Sequence, residues 1–386
     1  MSTSAPLAET AAWRDGKYFM WAASLAVPLL PCVTFGIVQD TGYDFFWWLT
    51  PAMVFVLIPF LDQFIGDDGG NPPAALMQQL QDHFWYRFLV WAYVFMQYVC
   101  LLVCCHAWAS TELSWLGKLG LIASLGTVNG LGINTAHELG HKNNAWEQLL
   151  SKLALAPTMY GHFFVEHNRG HHANVATPED PASSRLGESF YAFWPRTVVG
   201  SVRSGWQLER ERMSKRGLSP WSWRNEVLHS WAITVGLFAG LSLWFGIGVL
   251  PMLIVAGVFG FTLLELVNYL EHYGLKRERS AAGRYVKVEP KHSWNSNRIA
   301  TNLFLYQLQR HSDHHANPTL RYQVLRHFDS APELPAGYAT MIVLALFPPL
   351  WFKVMDPRVA AHYEGDLTQA NVDPAARQRI LALHAS

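Results

Sequence analysis

Residues 119–141 read LGLIASLGTVNGLGINTAHELGH, an apolar run that ends directly in two histidines four residues apart. The part at 119–136 contains no Asp, Glu, Lys or Arg, and its length suffices for a helix to cross the hydrocarbon core of a bilayer. His137 and His141 then follow on one face of the same helix, about one turn apart. The stretch therefore predicts a membrane-spanning helix that carries metal ligands on its end.

Other parts of the chain share the length and low charge of this run. Hydrophobic residues make up 51% of the 386 residues and charged residues only 15%, a balance typical of a polytopic membrane protein. We predict an all-α protein that forms a single membrane domain over residues 1–386. Its six spans are expected at about 18–38, 45–61, 88–110, 119–136, 227–246 and 249–272, with polar segments at 137–226 and 273–386.

Lysine and arginine residues fall almost entirely on one side of the predicted membrane. The loops after the first, third and fifth spans contain one basic residue, Lys118, and the other 28 lie on the opposite side. Because positively charged loops are retained in the cytoplasm, we predict that both termini and the two polar segments are cytoplasmic. The formal net charge of zero argues against nucleic acid as a partner.

Seven more histidines join His137 and His141 on this side of the membrane. They occur in His167-Asn-Arg-Gly-His171-His172, in His311-Ser-Asp-His314-His315 and as His272, which ends the sixth span. Spacings of three and four residues stack imidazoles on one helix face, as convergent metal ligands require. Neutral imidazole suits Fe, Zn, Cu and Ni, and since a zinc site uses at most four protein ligands, nine histidines predict two metal ions in a histidine-rich cytoplasmic cap.

Carboxylates are expected around these histidines. Two adjacent dications held only by neutral ligands carry a large positive charge, so nearby carboxylates should accept imidazole N–H bonds. The candidates stand next to predicted ligands in the sequence and are Glu138, Glu166, Glu271 and Asp313. No catalytic side chain beyond the metal centre is predicted.

Two other functions fit parts of the pattern. His137 to His141 satisfies HExxH, the zinc-protease motif in which Glu138 would act as general base, but that interpretation leaves seven histidines without a role. A metal transporter would hold its ligands near the bilayer midplane, whereas these histidines stand at helix ends and beyond.

The chain contains no sequence motif for a redox module of its own. Its four cysteines lie in apolar runs without a CxxC pair, and there is no GxGxxG. Electrons for redox chemistry must therefore come from another protein. A basic set in the first polar segment is expected either to steer an acidic electron-transfer protein or to contact lipid headgroups: Arg203, Arg210, Arg212, Lys215 and Arg216.

Four strings resemble the alkane 1-monooxygenase family of integral-membrane non-haem di-iron enzymes, within the fatty acid desaturase/hydroxylase superfamily. They are His137-Glu-Leu-Gly-His-Lys142, Glu166-His-Asn-Arg-Gly-His-His172, Asn268-Tyr-Leu-Glu-His-Tyr-Gly-Leu275 and Leu308-Gln-Arg-His-Ser-Asp-His-His315. The resemblance extends from about the first span to near residue 340. Xylene monooxygenase subunits share three of the motifs, and the string from Asn268 to Leu275 is typical of the alkane enzymes.

This resemblance implies hydroxylation of the terminal carbon of medium-to-long n-alkanes to primary alcohols, with O2 and two iron ions. It also implies a bacterial inner membrane and electrons from rubredoxin, which an NAD(P)H-dependent rubredoxin reductase recharges. The implied iron ligands are His137, His141, His167, His171, His172, His272, His311, His314 and His315. A xylene-type aromatic methyl monooxygenase and another membrane di-iron fatty-acyl hydroxylase or desaturase are the alternatives.

Overall fold

The computed structural model describes residues 13–378 and 380, and within these residues the protein is all helical. Only isolated backbone bridges occur besides helices and turns in this part of the chain. The prediction of an all-α fold is confirmed.

Fourteen helices in the described residues are numbered here in chain order. The first seven are α1 Met20–Thr41, α2 Asp44–Ile65, α3 Met77–Asp82, α4 Phe84–Ser110, α5 Trp115–Gly140, α6 Ala145–Leu155 and α7, which runs from Phe163–Glu166 through the π-helical turn His167–His171 to His172–Asn174. The others are α8 Phe190–Ser214, α9 Glu226–Phe245, α10 Val249–Glu271, α11 Ile299–Phe304, α12 His311–Ala316, α13 Tyr338–Ala345 and α14 Pro348–His362.

Six of these helices are long and apolar enough to cross a membrane, namely α1, α2, α4, α5, α9 and α10. They coincide with the six predicted spans, and the protein is a multi-pass membrane protein. α5 continues past the apolar run to Gly140, and α10 continues to Glu271. Both helices therefore carry residues of the predicted histidine set on or directly after their ends.

α5 is the central helix of the bundle. In its apolar window 78% of the residues are buried inside the protein, compared with 28% for α2 and for α9. α5 lies close to α10 because glycines face the contact. A Cβ atom on Gly126 would come within 2.6 Å of the Phe259 ring, and one on Gly130 within 3.1 Å of the Gly260 carbonyl oxygen.

Buried hydrogen bonds connect the cap to the ends of the membrane-spanning helices. Arg310 is 1% exposed and donates to the carbonyl oxygens of Leu325 at 2.7 Å and of Asp68 at 2.8 Å. Asp62 near the end of α2 accepts from the Thr301 hydroxyl on α11 at 2.6 Å. These contacts hold the segment before α12 against the loop that follows α2. α12 itself contains three of the predicted ligands.

We predict that Gly126→Ala lowers the thermal stability of the protein. The added Cβ meets the Cβ of Phe259 at 2.8 Å, so backbone must move, and overpacking of this kind costs about 1–3 kcal/mol. Gly240→Ala on lipid-exposed α9 is the matched control, because a Cβ there has nothing within 4 Å. Thermal denaturation in detergent should show a lower midpoint for Gly126→Ala only, and equal midpoints would contradict the close α5–α10 contact.

Candidate metal centre

The nine predicted histidines come together in two adjacent groups. The larger group contains His137, His141, His167, His172 and His314, and the smaller contains His171, His272, His311 and His315. Within each group one potential ligand atom per residue lies within 4.8 Å of all the others. The groups adjoin each other, since the ring centroids of His172 and His315 are 4.4 Å apart.

The π-helical turn of α7 decides which histidine joins which group. A π turn has hydrogen bonds between residues i and i+5, which brings those residues closer than in an α-helix, and the Nε2 atoms of His167 and His172 lie 3.1 Å apart in the larger group. His171, four residues after His167, consequently points to the smaller group. A regular α-helix would instead pair His167 with His171, which is the pairing that spacing alone suggests.

α12 also serves both groups. His311 and His315, four residues apart in a regular helix, place their Nε2 atoms 2.8 Å from each other in the smaller group. His314 lies on another face and brings its Nε2 atom to 3.2 Å from that of His172 in the larger group. α5 supplies its two histidines to the larger group, and the residue after α10, His272, joins the smaller.

Several buried ring nitrogens in these groups have no hydrogen-bond partner among the described residues. Among them are the Nε2 atoms of His137, His141, His171 and His272. An unpaired buried polar group costs about 1–3 kcal/mol, and closely approaching lone pairs of neutral imidazoles repel one another. A metal cation shared by each group would satisfy all these nitrogens, so the donor set fits two metal ions.

Burial keeps most of these rings neutral, as metal ligation requires. It lowers the pKa of His272 to about 3, with the positive charge of His171 adding to the effect. The pKa values of six cap histidines fall well below the usual value for the same first reason: His141, His167, His172, His311, His314 and His315. His171 differs: burial lowers its pKa, but the negative charges of Asp180, Glu166 and Glu265 together raise it above the usual value.

Asp180 is a partner that the sequence did not indicate. Its carboxylate lies 2.9 Å from His171 Nδ1, and both side chains are buried. A carboxylate on Nδ1 fixes the ring so that Nε2 faces the metal, which is the usual outer-shell arrangement. Asp180 follows His171 by nine residues in a loop, so neither helical spacing nor adjacency pointed to it.

The four carboxylates expected around the ligands occupy different places. Glu271 Oε2 lies 3.1 Å from His311 Nε2, and Glu138 pairs with Lys142 at 3.1 Å. Burial and the nearby charge of Asp180 raise the pKa of Glu166 to about 8. Asp313 faces away from the rings and binds Arg326 at 2.8 Å.

An apolar cavity leads from the spans to the histidines. It reaches His137, His167 and His311 at one end. α2, α5, α10 and α13 line it, with Val54, Ile58, Leu131, Leu263 and Ile342 among its apolar side chains.

Three polar side chains that line the cavity already have partners in the protein. Asn134 donates to the Leu305 carbonyl oxygen at 2.8 Å, Asn268 donates to Glu265 at 3.2 Å, and Thr301 donates to Asp62. A molecule in the cavity therefore meets mostly apolar surface, which suits a ligand without hydrogen-bonding groups.

Six spans, an apolar cavity and two groups of buried histidines define a multi-pass membrane protein with a candidate two-metal centre. Residues 113–345 match the family model of the fatty acid desaturases. An alkane 1-monooxygenase of Acinetobacter baylyi is 46% identical over 95% of this chain and 91% of its own length, and one of Pseudomonas putida is 44% identical over 94% and 90%. A xylene/toluene monooxygenase hydroxylase component of Pseudomonas putida is 29% identical over 65% and 69%.

The chain therefore belongs to the fatty acid desaturase family and, within it, to the alkane 1-monooxygenase family. The resemblance inferred from the four histidine strings is confirmed.

We predict that Asp180→Ala weakens metal binding about 10- to 100-fold, because outer-shell partners of ligating histidines contribute that much to affinity. Bound metal per protein, measured after dialysis against a chelator, checks this. Glu209→Ala is the control, since Glu209 is an equally buried acid that pairs with Arg169 and Arg212 instead of a histidine. Equal metal retention in both variants would show that Asp180 does not support the centre.

Proposed function

We propose that the protein is an alkane 1-monooxygenase that hydroxylates the terminal carbon of medium-to-long n-alkanes to primary alcohols. The observation that carries the proposal is the apolar cavity that ends at nine converging histidines. It is supported by relatives named alkane 1-monooxygenase that are 41–46% identical over more than nine-tenths of the chain.

The proposed cofactor is a pair of iron ions held by the two histidine groups. The larger group, His137, His141, His167, His172 and His314, would hold one ion, and the smaller, His171, His272, His311 and His315, would hold the other. Such a centre supplies activation of O2 for insertion of one oxygen atom into a C–H bond. The balanced reaction consumes an alkane, O2, two electrons and two protons, and yields a primary alcohol and water.

The chain's own residues bind and orient the substrate. An alkane partitions into lipid, and burial of its surface in the cavity stabilises the complex by about 25 cal/mol per Å². The cavity walls keep the chain extended with one end at the histidines. The cavity residues exclude water, because the amide groups of Asn134 and Asn268 are bonded to the protein.

The alternatives have less support. A zinc protease needs a carboxylate free to activate a metal-bound water, whereas Glu138 is buried and paired with Lys142. A transporter needs ligands near the membrane midplane, whereas these stand at the ends of α5 and α10 and in the cap. An aromatic methyl hydroxylase has one relative in its favour, at 29% identity.

The proposed location is the bacterial inner membrane, with the histidine cap and both termini in the cytoplasm. The terminal residues themselves lie outside the described ones, but six spans bring residues 13 and 380 to the same side. The orientation is supported by the 28 basic residues on the cap side. The chain needs an electron-transfer partner, which we propose is rubredoxin, reduced by an NAD(P)H-dependent reductase.

We predict that each single His→Ala substitution among the nine histidines lowers iron content and abolishes formation of 1-octanol from octane. The assay uses purified protein with O2, rubredoxin and its reductase, and p-xylene in parallel as a test of the aromatic alternative. His106→Ala and His229→Ala are controls, because both side chains lie on the surface away from the two groups. Two bound irons in the native protein without turnover of any hydrocarbon would contradict the proposed function.

Cavity length should decide which alkanes are accepted. Ala339→Leu adds volume to the cavity wall on α13 and is expected to reduce turnover of dodecane more than that of octane. Val343→Leu one turn further on the same helix is the control, because Val343 is 36% exposed and does not line the cavity. Product yields across a series of chain lengths test this, and an unchanged preference in Ala339→Leu would show that alkanes bind elsewhere.

A further inference from the structure

Residues 276–291 form an exposed hairpin. The hairpin begins shortly after His272, the member of the smaller histidine group that follows α10. Backbone hydrogen bonds from Ser280 to Arg284 at 2.7 Å and from Val286 to Glu278 at 3.0 Å close it. Within the described residues, this hairpin, here called the basic hairpin, is the segment that joins His272 to the residues before α11 and α12.

The basic hairpin contacts the segments that hold both histidine groups. The Arg277 guanidinium donates to the Ala173 carbonyl oxygen at 2.7 Å, one residue after His172. At its far end, Ser312 beside His311 donates to the Pro290 carbonyl oxygen at 2.7 Å. The His272 ring in turn donates from Nδ1 to the His292 carbonyl oxygen at 3.3 Å. These hydrogen bonds therefore connect the hairpin with residues next to both histidine groups.

The hairpin is strongly basic. Six of its residues are Lys or Arg and two are Glu: Lys276, Arg277, Arg279, Arg284, Lys287 and Lys291 against Glu278 and Glu289. Arg279 pairs with Glu179 and Lys291 with Glu278. Arg284 and Lys287 are exposed and have no ion-pair partner within the described part of the chain. Their charges are therefore available to a partner.

A second basic surface, at the end of α8, has a different character. Arg210, Lys215 and Arg216 are exposed there, while Arg212 is paired with Glu209. Trp221 and Trp223 follow at 73% exposure each, immediately before the lipid-exposed span α9. Exposed tryptophan beside basic residues at the end of a span is the pattern of a membrane interface. Of the two functions expected for this set, the structure favours contact with lipid headgroups.

The basic hairpin has no tryptophan, and its one aromatic residue, Tyr285, packs its ring against the guanidinium groups of Arg277 and Arg279. From residue 273 to residue 342, a fully described range, no large hydrophobic side chain is mostly exposed. Exposed charge without exposed apolar groups fits a transient, electrostatically steered complex with a soluble protein better than insertion into lipid.

We propose that the basic hairpin, residues 276–291, is the docking surface for an acidic one-electron carrier protein that reduces the metal centre. The proposal rests on the proposed function, which requires an external source of two electrons. Opposite charges bring the carrier to Arg284 and Lys287, and the hairpin's contacts with Ala173 and Ser312 place it beside both histidine groups.

The test is the double variant Arg284→Glu/Lys287→Glu in the full-length, iron-loaded protein, reconstituted in discs of neutral phosphatidylcholine. Reduced rubredoxin is the probe, with octane as substrate. Because charges at the rim of an interface act mainly on association, we expect KM for rubredoxin to rise about tenfold with kcat unchanged. The dependence of kcat/KM on salt concentration should flatten, and direct binding of rubredoxin to immobilised discs should weaken about tenfold.

The matched control is Arg210→Glu/Lys215→Glu, which makes the same change of charge on the other basic surface and should alter KM less than twofold. Iron content and thermal midpoint should equal those of the native protein in both variants. If charge reversal at the hairpin lowers either, Arg284→Gln/Lys287→Gln replaces it, with about a threefold rise in KM expected.

Three results separate the possibilities. Unchanged KM and unchanged binding in the hairpin variant, with a native protein that makes 1-octanol, overturn the docking surface and leave the proposed function standing. A native protein that makes no alcohol overturns the proposed function itself. If neutral discs show no effect and discs containing anionic phosphatidylglycerol do, the hairpin binds lipid headgroups and the docking proposal is wrong.

Discussion

Nine imidazoles share a small buried volume, and the rest of the structure depends on how their nitrogens are satisfied. Four of the Nε2 atoms have no partner among the described residues, and other pairs approach within 2.8 to 3.2 Å. Buried ring nitrogens without partners have lost their hydrogen bonds to water, and metal binding to the histidine groups would make the arrangement favourable. The same contacts between histidines and metal would therefore stabilise the cap and provide its redox chemistry.

The membrane bundle provides the rigid support for this arrangement. α5 and α10 approach closely through Gly126 and Gly130, and both project past the apolar runs towards the cap. The apolar cavity, lined by α2, α5 and α10, ends at the same rings. An apolar cavity and a polar histidine site are in this way brought together at one end of the bundle.

Sequence patterns predicted the large features because each has a simple periodic signal. Spans follow from the length of uncharged runs, and the nine histidines follow from clustering at helical spacing. The distribution of the histidines between the groups did not follow, because the π turn at His167–His171 is a tertiary adjustment that i,i+4 spacing does not reveal. Asp180 did not follow from the sequence, because a loop brings it to His171. Asp313 was expected near the rings, but its carboxylate pairs with Arg326 instead. The positive charge of the basic hairpin is visible in the sequence. Its contacts with Ala173 and Ser312 follow only from the folded structure.

The most direct test of the central claim is an electron cryo-microscopy map of the iron-loaded protein in lipid discs. The account predicts two metal peaks, one bonded to Nε2 atoms of the larger histidine group and one to those of the smaller, with Asp180 still on His171. A single peak held by His137 and His141 alone, or histidine rings that remain apart from any metal, would contradict it.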